Sequence, residues 1–296
     1  MKIFYLLATI FLFQSCKAQS QTKLNISKGD NTLLWEISGK GLKKSSYLFG
    51  TFHILCKDDI KFSSNLQTAL KRSKEVYFEM DLDDPKNTLG GMFFMNMKNK
   101  TLNDLYSPEE MQKLSKFFKD SLKMNLSFFN KMKPMMLSAL LYPRMMPCKT
   151  PSGVEMELMT IAKKENKEIK GFETIEFQSS VFDSIPYSVQ AKELLKSIDS
   201  INKYKVYFNK MVLMYKNQQT DSLVLIVNDK TFSEGENNDA LLKNRNQNWL
   251  KQLETILPKN NIFIGVGAAH LFGADGLINL LRKDGYTVRP IENTLK

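Results

Sequence analysis

Histidine is the scarcest chemical resource of this chain, with 2 residues in 296. Cysteine, with 3, is too sparse for a disulfide framework or a cysteine-based zinc module. Only five of the 42 basic residues are arginine, so the formal net charge of +11 comes from lysines spread along the whole length. No arginine-rich block, zinc finger or RNA-binding motif accompanies them, which excludes nucleic acid as a partner and leaves a solvated lysine surface with at most weak attraction to anionic lipid or glycan. The longest largely apolar run, Ile3–Phe13, is too short to span a bilayer. Low-complexity stretches and short-period repeats are also missing. What remains is a globular composition, 43% hydrophobic and 25% charged, long enough to bury a sizeable core.

The N-terminus stands apart from the fold. Lys2, the run Ile3–Phe13 and Gln14-Ser15-Cys16 read as a signal peptide. A small residue directly before a cysteine resembles a bacterial lipoprotein signal, which implies cleavage after residue 15 and lipidation of Cys16. Residues 16–30 then form a polar tether, and 31–296 form a single domain. The expected location is the cell envelope, membrane-anchored through the lipid and facing the periplasm or the surface. Cys56 and Cys148 remain; outside the cytosol an even pair is a candidate disulfide, and two separate buried thiols are equally compatible with the sequence.

Along the domain, Leu33–Ile37 and Tyr47–Phe52 are strand-like and joined by the hairpin signal Ser38-Gly39-Lys40-Gly41. An amphipathic helix over 63–74 and a strand over 76–81 follow, a strand–helix–strand unit that implies parallel strands. From about 86 to 258 helical apolar spacing dominates, at Met92–Met97, Pro108–Lys119, Pro134–Leu141, Glu155–Lys164, Pro186–Ser197, Tyr204–Asn217 and Asp239–Leu257, interrupted by one strand over Glu168–Phe172. The strand Ile262–Val266, a helix over 277–284 and the strand Tyr286–Ile291 close the chain as a second such unit. The expected fold is therefore α/β: a mixed central sheet built from two strand–helix–strand units that flank a long, mostly helical insertion. Most of the methionines fall in that insertion, where they read as adaptable apolar filling.

Both histidines end a strand in the same way, in Gly50-Thr51-Phe52-His53 and Gly267-Ala268-Ala269-His270. Functional groups of such sheets collect at the carboxyl ends of strands, and glycine there permits a close backbone approach. Two imidazoles with one or two carboxylates suit an open divalent-metal site. Glu79 is the best carboxylate, because it places a charge at the end of an apolar strand, a costly position unless the charge is paired or coordinating. Asp81, Asp83 and Asp84 read as a solvated or turn-capping cluster. Glu155 follows Ser152 by three residues, so a capping box competes with a catalytic role. Glu173 and Gln178 follow a strand end and are weaker candidates. Arg245, with Asn246 beside it, shares a helix face with Asn238, Leu242 and Trp249, and serves equally as a carboxylate or substrate clamp or as a helix-to-sheet salt bridge. A dinucleotide-binding loop at Gly265-Val266-Gly267 fails at its third glycine, where His270 stands. No serine or cysteine sits at a recognisable nucleophile elbow.

Taken together, Leu48–His53, Glu79, Gly171–Thr174 with Gln178, Arg245-Asn246, Gly265–His270 and the string Gly276–Val288 resemble the TraB/GumN family, which includes the animal TIKI proteins. The resemblance runs from about 33 to 291. It implies a fold like that of the ChaN and erythromycin-esterase proteins, with two halves facing a cleft. By analogy with the TIKI branch it also implies metal-dependent peptide cleavage, with manganese, cobalt or zinc held by His53, His270 and Glu79, and with Arg245, Asn246 and Glu155 nearby. A peptide or protein is then the expected partner. The competing expectation is a lipoprotein without enzymatic activity that sequesters a peptide, haem or a metal.

Overall fold

The computed structural model describes residues 31–81, 83–84, 94–227 and 239–293. The signal peptide, Cys16 and the tether lie outside these residues, as does Asn238. Six strands form the central sheet in the order β6–β4–β7–β2–β1–β8, from β1 (Leu34–Gly39), β2 (Ser46–Thr51), β4 (Glu75–Met80), β6 (Glu168–Glu173), β7 (Ile262–Gly267) and β8 (Tyr286–Ile291). β2, β7, β4 and β6 pair in parallel, and β1 runs antiparallel between β2 and β8. Both histidine-bearing strands are buried at every position, as continuous apolar runs are when helices cover both faces. β8 alternates buried and exposed residues at its start, as an edge strand does.

The strand–helix–strand reading needs one correction. β2, α1 (Ser64–Arg72) and β4 follow in sequence, and β2 and β4 are parallel, yet they are not neighbours. β7, from the far end of the chain, is inserted between them. Thr51 therefore lies opposite Gly267, and the two glycine–histidine motifs sit side by side at one end of the sheet.

One face of the sheet (Phe49, Val76, Phe78 and Phe263) packs on α1, α5 (Val154–Lys164), α8 (Ile201–Lys216) and α9 (Thr220–Val227). The other face (Leu48, Tyr77, Ile264 and Val266) packs on Trp249 and Leu253 of α10 (Asn244–Ile256) and on Leu277 and Leu281 of α11 (Leu277–Lys283). A third core gathers α2 (Pro108–Phe117), α3 (Pro134–Ala139), α4 (Tyr142–Met145) and α7 (Tyr187–Asp199) with the other side of α8. This is the helical insertion, and β6 and α6 (Ile175–Asp183) join it to the sheet.

Local sequence accounts for most helix boundaries. Ser63 caps α1 by accepting the Leu66 amide, and Ser107 with Glu110 forms a capping box ahead of Pro108. Three expectations fail. Asn96 lies in a strand-like bridge to Met132 and not in a helix over Met92–Met97, whose residues 92 and 93 fall outside the described residues. The helix expected over Asp239–Leu257 opens with a wider turn, Asp239–Lys243. The capping box at Ser152 and Glu155 does not form: Gly153 is the cap residue, Ser152 hydrogen-bonds Glu157, and Glu155 is released for the site.

Candidate active site

The cleft opens at the carboxyl ends of β2, β4 and β7, where a cavity of about 1020 Å³ is lined by His53, Glu79, Glu155, Arg245, Asn246 and His270. All six residues expected at the site from sequence are thus gathered in one place.

His53 stands just past β2. Its Nδ1 donates to Glu155 Oε1 at 2.7 Å, and the same oxygen accepts from Thr51 Oγ1 at 2.6 Å. Glu155 is held at the start of α5 because segments 52–57 and 150–155 run as an antiparallel ribbon. β3 (Leu55–Cys56) pairs with β5 (Pro151–Ser152), Val154 N donates to Phe52 O, and Lys57 N donates to Thr150 O. A disulfide between Cys56 and Cys148, with Cα atoms 5.8 Å apart, closes the ribbon. The His53 ring is 71% exposed, but the solvent it meets lies within the cleft. Desolvation by the cleft walls disfavours its charge; the hydrogen bond and charge of Glu155, helped by Glu79, outweigh this and raise its pKa to about 9.

His270 is buried, in the single turn Ala268–His270 after β7. Asn246 Nδ2 donates to the carbonyls of His270 and Asp275, which turns Asn246 Oδ1 toward His270 Nδ1 at 2.7 Å. The ring hydrogen therefore sits on Nδ1, and the Nε2 lone pair accepts from Arg245 Nη1 at 3.2 Å. Trp249 packs on the ring with centroids 4.4 Å apart. Burial lowers the His270 pKa, and the charges of Arg245 and His53 lower it further, to about 4 against the opposing pull of Glu79.

Arg245 is the hub, and the salt-bridge reading of this residue holds. Nε and Nη2 clasp Glu173 at 2.8 Å each, and Nη2 also reaches Glu79 Oε2 at 2.7 Å. Trp249 Nε1 donates to the same Glu173, at 2.8 Å. Burial raises the Glu173 pKa despite Arg245. Glu79 is also buried, and burial alone would favour its acid form. The charge His270 carries when protonated, then Arg245, then His53 and the Gly267 amide reverse this and lower its pKa to about 2. At neutral pH His270 is uncharged, so Arg245 is the nearer stabiliser of the Glu79 carboxylate.

The glycines explain why these groups meet. A Cβ on Gly50 would lie 3.1 Å from the Ala268 backbone, so the first motif's glycine admits the second motif's turn. A Cβ on Gly267 would lie 3.2 Å from Glu79 Oε1, 3.7 Å from His270 Cδ2 and 3.7 Å from His53 Nε2. The absent side chain thus leaves a cradle on which both imidazoles and Glu79 converge. Glu79 Oε1 accepts the Gly267 amide at 2.8 Å and lies 3.8 Å from His270 Nε2.

A family model for the TraB/PrgY/gumN family matches residues 33–290. The chain belongs to this family. No curated protein and no solved structure matches it. Among the described residues no group of three or more histidine, cysteine, aspartate or glutamate side chains is already gathered closely enough to hold an ion. The donor chemistry at the cradle does fit one. Each imidazole has its Nδ1 hydrogen tied to an oxygen. His270 offers its Nε2 lone pair, His53 would offer its own once an ion displaces the Nε2 proton its raised pKa retains, and a carboxylate oxygen keeps a lone pair beside its Gly267 bond. Arg245 Nη1 now shares the His270 lone pair and would give it up.

Sequence reasoning missed Thr51, which steadies Glu155, and gave Glu173 too little weight. A partial signal for Glu173 was present, since it is a carboxylate at a strand end as Glu79 is; that it pairs with Met80, next to Glu79, only the sheet reveals. Gln178 lines the cavity, whereas Asp81, Asp83 and Asp84 do not.

Proposed function

We propose that this TraB/PrgY/gumN-family protein is a divalent-metal-dependent hydrolase of the cell envelope, tethered by lipid at Cys16 and cleaving an amide bond of the peptide type. The observation that carries the reading is the cradle over Gly267, where Glu79 Oε1, His53 Nε2 and the Cδ2 edge of the His270 ring converge at the floor of the cavity. Manganese, cobalt or zinc would be held by His53, His270 and Glu79, and when bound would acidify a water and polarise a carbonyl. The chain's own residues prepare that centre. Glu155 and Asn246 hold the Nδ1 hydrogens, which leaves His53 Nε2 at the cradle and His270 Nε2 between Arg245 and Glu79. Arg245 keeps Glu79 ionised and brings a guanidinium to the site, placed to offset negative charge that develops on a substrate oxygen. The Cys56–Cys148 bond supports an oxidising compartment, in keeping with export.

The test is metal stoichiometry of the mature, unlipidated chain carrying Cys16→Ser, titrated with each ion in turn by calorimetry. One ion per chain, lost in both His53→Ala and His270→Ala, is expected. Binding that survives both substitutions rejects the centre. The apolar lining of the cavity favours a second reading, sequestration of an apolar ligand without turnover. That reading fails if the metal-loaded wild-type chain releases product from an apolar substrate while His53→Ala still binds that substrate and releases none.

A further inference from the structure

Polar groups are unevenly distributed in the cavity. Thr51, His53, Glu79, Glu155, Arg245 and Asn246 crowd the end at the sheet, and Asp239, Lys243 and Asp275 belong to turns flanking that end. The opposite wall comes from the helical insertion. It abuts Phe52, which follows β2 directly before His53, and runs through Phe208, whose ring centroid lies 6.1 Å from that of Phe52 and 5.4 Å from that of Tyr142. Met135, Met136 and Met211 extend it, with Phe182. Among the described residues of this wall, the only polar side-chain groups are the Tyr142 hydroxyl and the Gln178 amide.

That composition selects the chemistry of an occupant. A peptide backbone laid along the wall would bring an amide and a carbonyl per residue with almost nothing to pair them. Each unpaired group costs about 1–3 kcal/mol. An alkyl chain brings none. Methionines conform to a flexible chain better than branched residues do, because their unbranched side chains adopt many shapes. The volume, about 1020 Å³, lies at the upper end of small-molecule sites, which is room for a long chain together with its head.

We propose that the insertion wall seats the long alkyl chain of an acylated substrate, an N-acyl amide whose carbonyl lies at the Gly267 cradle. The cleavage rests on the hydrolase reading; the binding of the chain does not. In the reaction the oxygen of water bonds to the acyl carbon, the C–N bond breaks, and the departing nitrogen takes a proton from that water. The products are a fatty acid and an amine.

The experiment is calorimetric titration of the mature, unlipidated Cys16→Ser chain with hexanoyl-, decanoyl-, tetradecanoyl- and octadecanoyl-glycine. Affinity should rise with each added methylene, by up to about fourfold, until the wall is filled. Affinity that stays flat along the series overturns the proposal with the wild-type fold alone. Met136→Lys should weaken octadecanoyl-glycine at least tenfold and leave hexanoyl-glycine unchanged; an unaltered series in a folded Met136→Lys protein also overturns it. Met211→Ala serves the same purpose if Met136→Lys does not fold. Free tetradecanoic acid binding more tightly than tetradecanoyl-glycine rejects the acyl amide in favour of a fatty-acid carrier. His53→Ala should keep the chain-length dependence. Binding that persists without release of glycine therefore marks failure of the hydrolase reading, not of the chain seat.

Discussion

His270 and His53 are the same residue type at matching strand ends, yet their surroundings pull them apart. His53 faces solvent inside the cleft and leans on a carboxylate, which favours its charged form. His270 is sealed under Trp249 with a guanidinium against its Nε2, which favours the neutral ring. For His270 the folded pKa of about 4 lies below the unfolded 6.5. Between those values the unfolded chain binds more protons, so stability of the metal-free protein rises with pH across that window and is lost as pH falls through it. The span is on the order of 3 kcal/mol for a fully buried ring. Urea unfolding at several pH values from 4 to 7 should show this slope in the wild type and a shallower one in His270→Gln. Identical slopes would mean that the ring is not held neutral. None of this is readable from two copies of Gly-x-x-His, because the difference comes from Glu155, Asn246 and Arg245, which are distant in sequence.

At the scale of elements, the ribbon of segments 52–57 and 150–155 does the positioning. It carries His53 on one strand and Glu155 at the end of the other, and the Cys56–Cys148 bond lies just beyond the pair it aligns. The bond closes a loop of 92 residues in sequence, and such a cross-link contributes about 2–4 kcal/mol. Cys56→Ser/Cys148→Ser should lower stability by that amount in denaturant titration. It should also weaken binding at the proposed metal centre more than a distant destabilising substitution of equal size. Metal affinity unchanged in a folded double variant would show that the backbone bonds alone hold the pair. Here the sequence pattern misled. Ser152 and Glu155 have the spacing of a capping box, but the pull of His53 and Thr51 on Glu155 outcompetes a local cap whose amides water can satisfy.

At the scale of the whole molecule, the insertion is part of the sheet and of the site. β6 pairs with β4, and Glu155, Glu173 and Arg245 all come from residues between 86 and 258. Replacing 86–258 by a short glycine-rich linker leaves Glu79 buried without its cation and β4 without β6, one of its two neighbours. Such a chain should show no cooperative unfolding transition by circular dichroism. A sharp transition would establish the two terminal strand–helix–strand units as an independent domain.

Much of the architecture was legible because it rests on local periodicity and punctuation. Buried apolar runs marked β2 and β7, 3–4 spacing marked the helices, and a charged residue ending an apolar strand marked Glu79. The sequence by itself determined the element types, the paired Gly-x-x-His ends and the family to which they point. Only the tertiary structure decided that β7 enters between β2 and β4, and so that the two motifs stand side by side. It also decided that Arg245 binds Glu79 and Glu173 and that Glu155 turns to His53. Strand order and ion pairing depend on contacts far apart in the chain, 72 residues for Arg245 with Glu173 and 166 for Arg245 with Glu79, which no local pattern encodes.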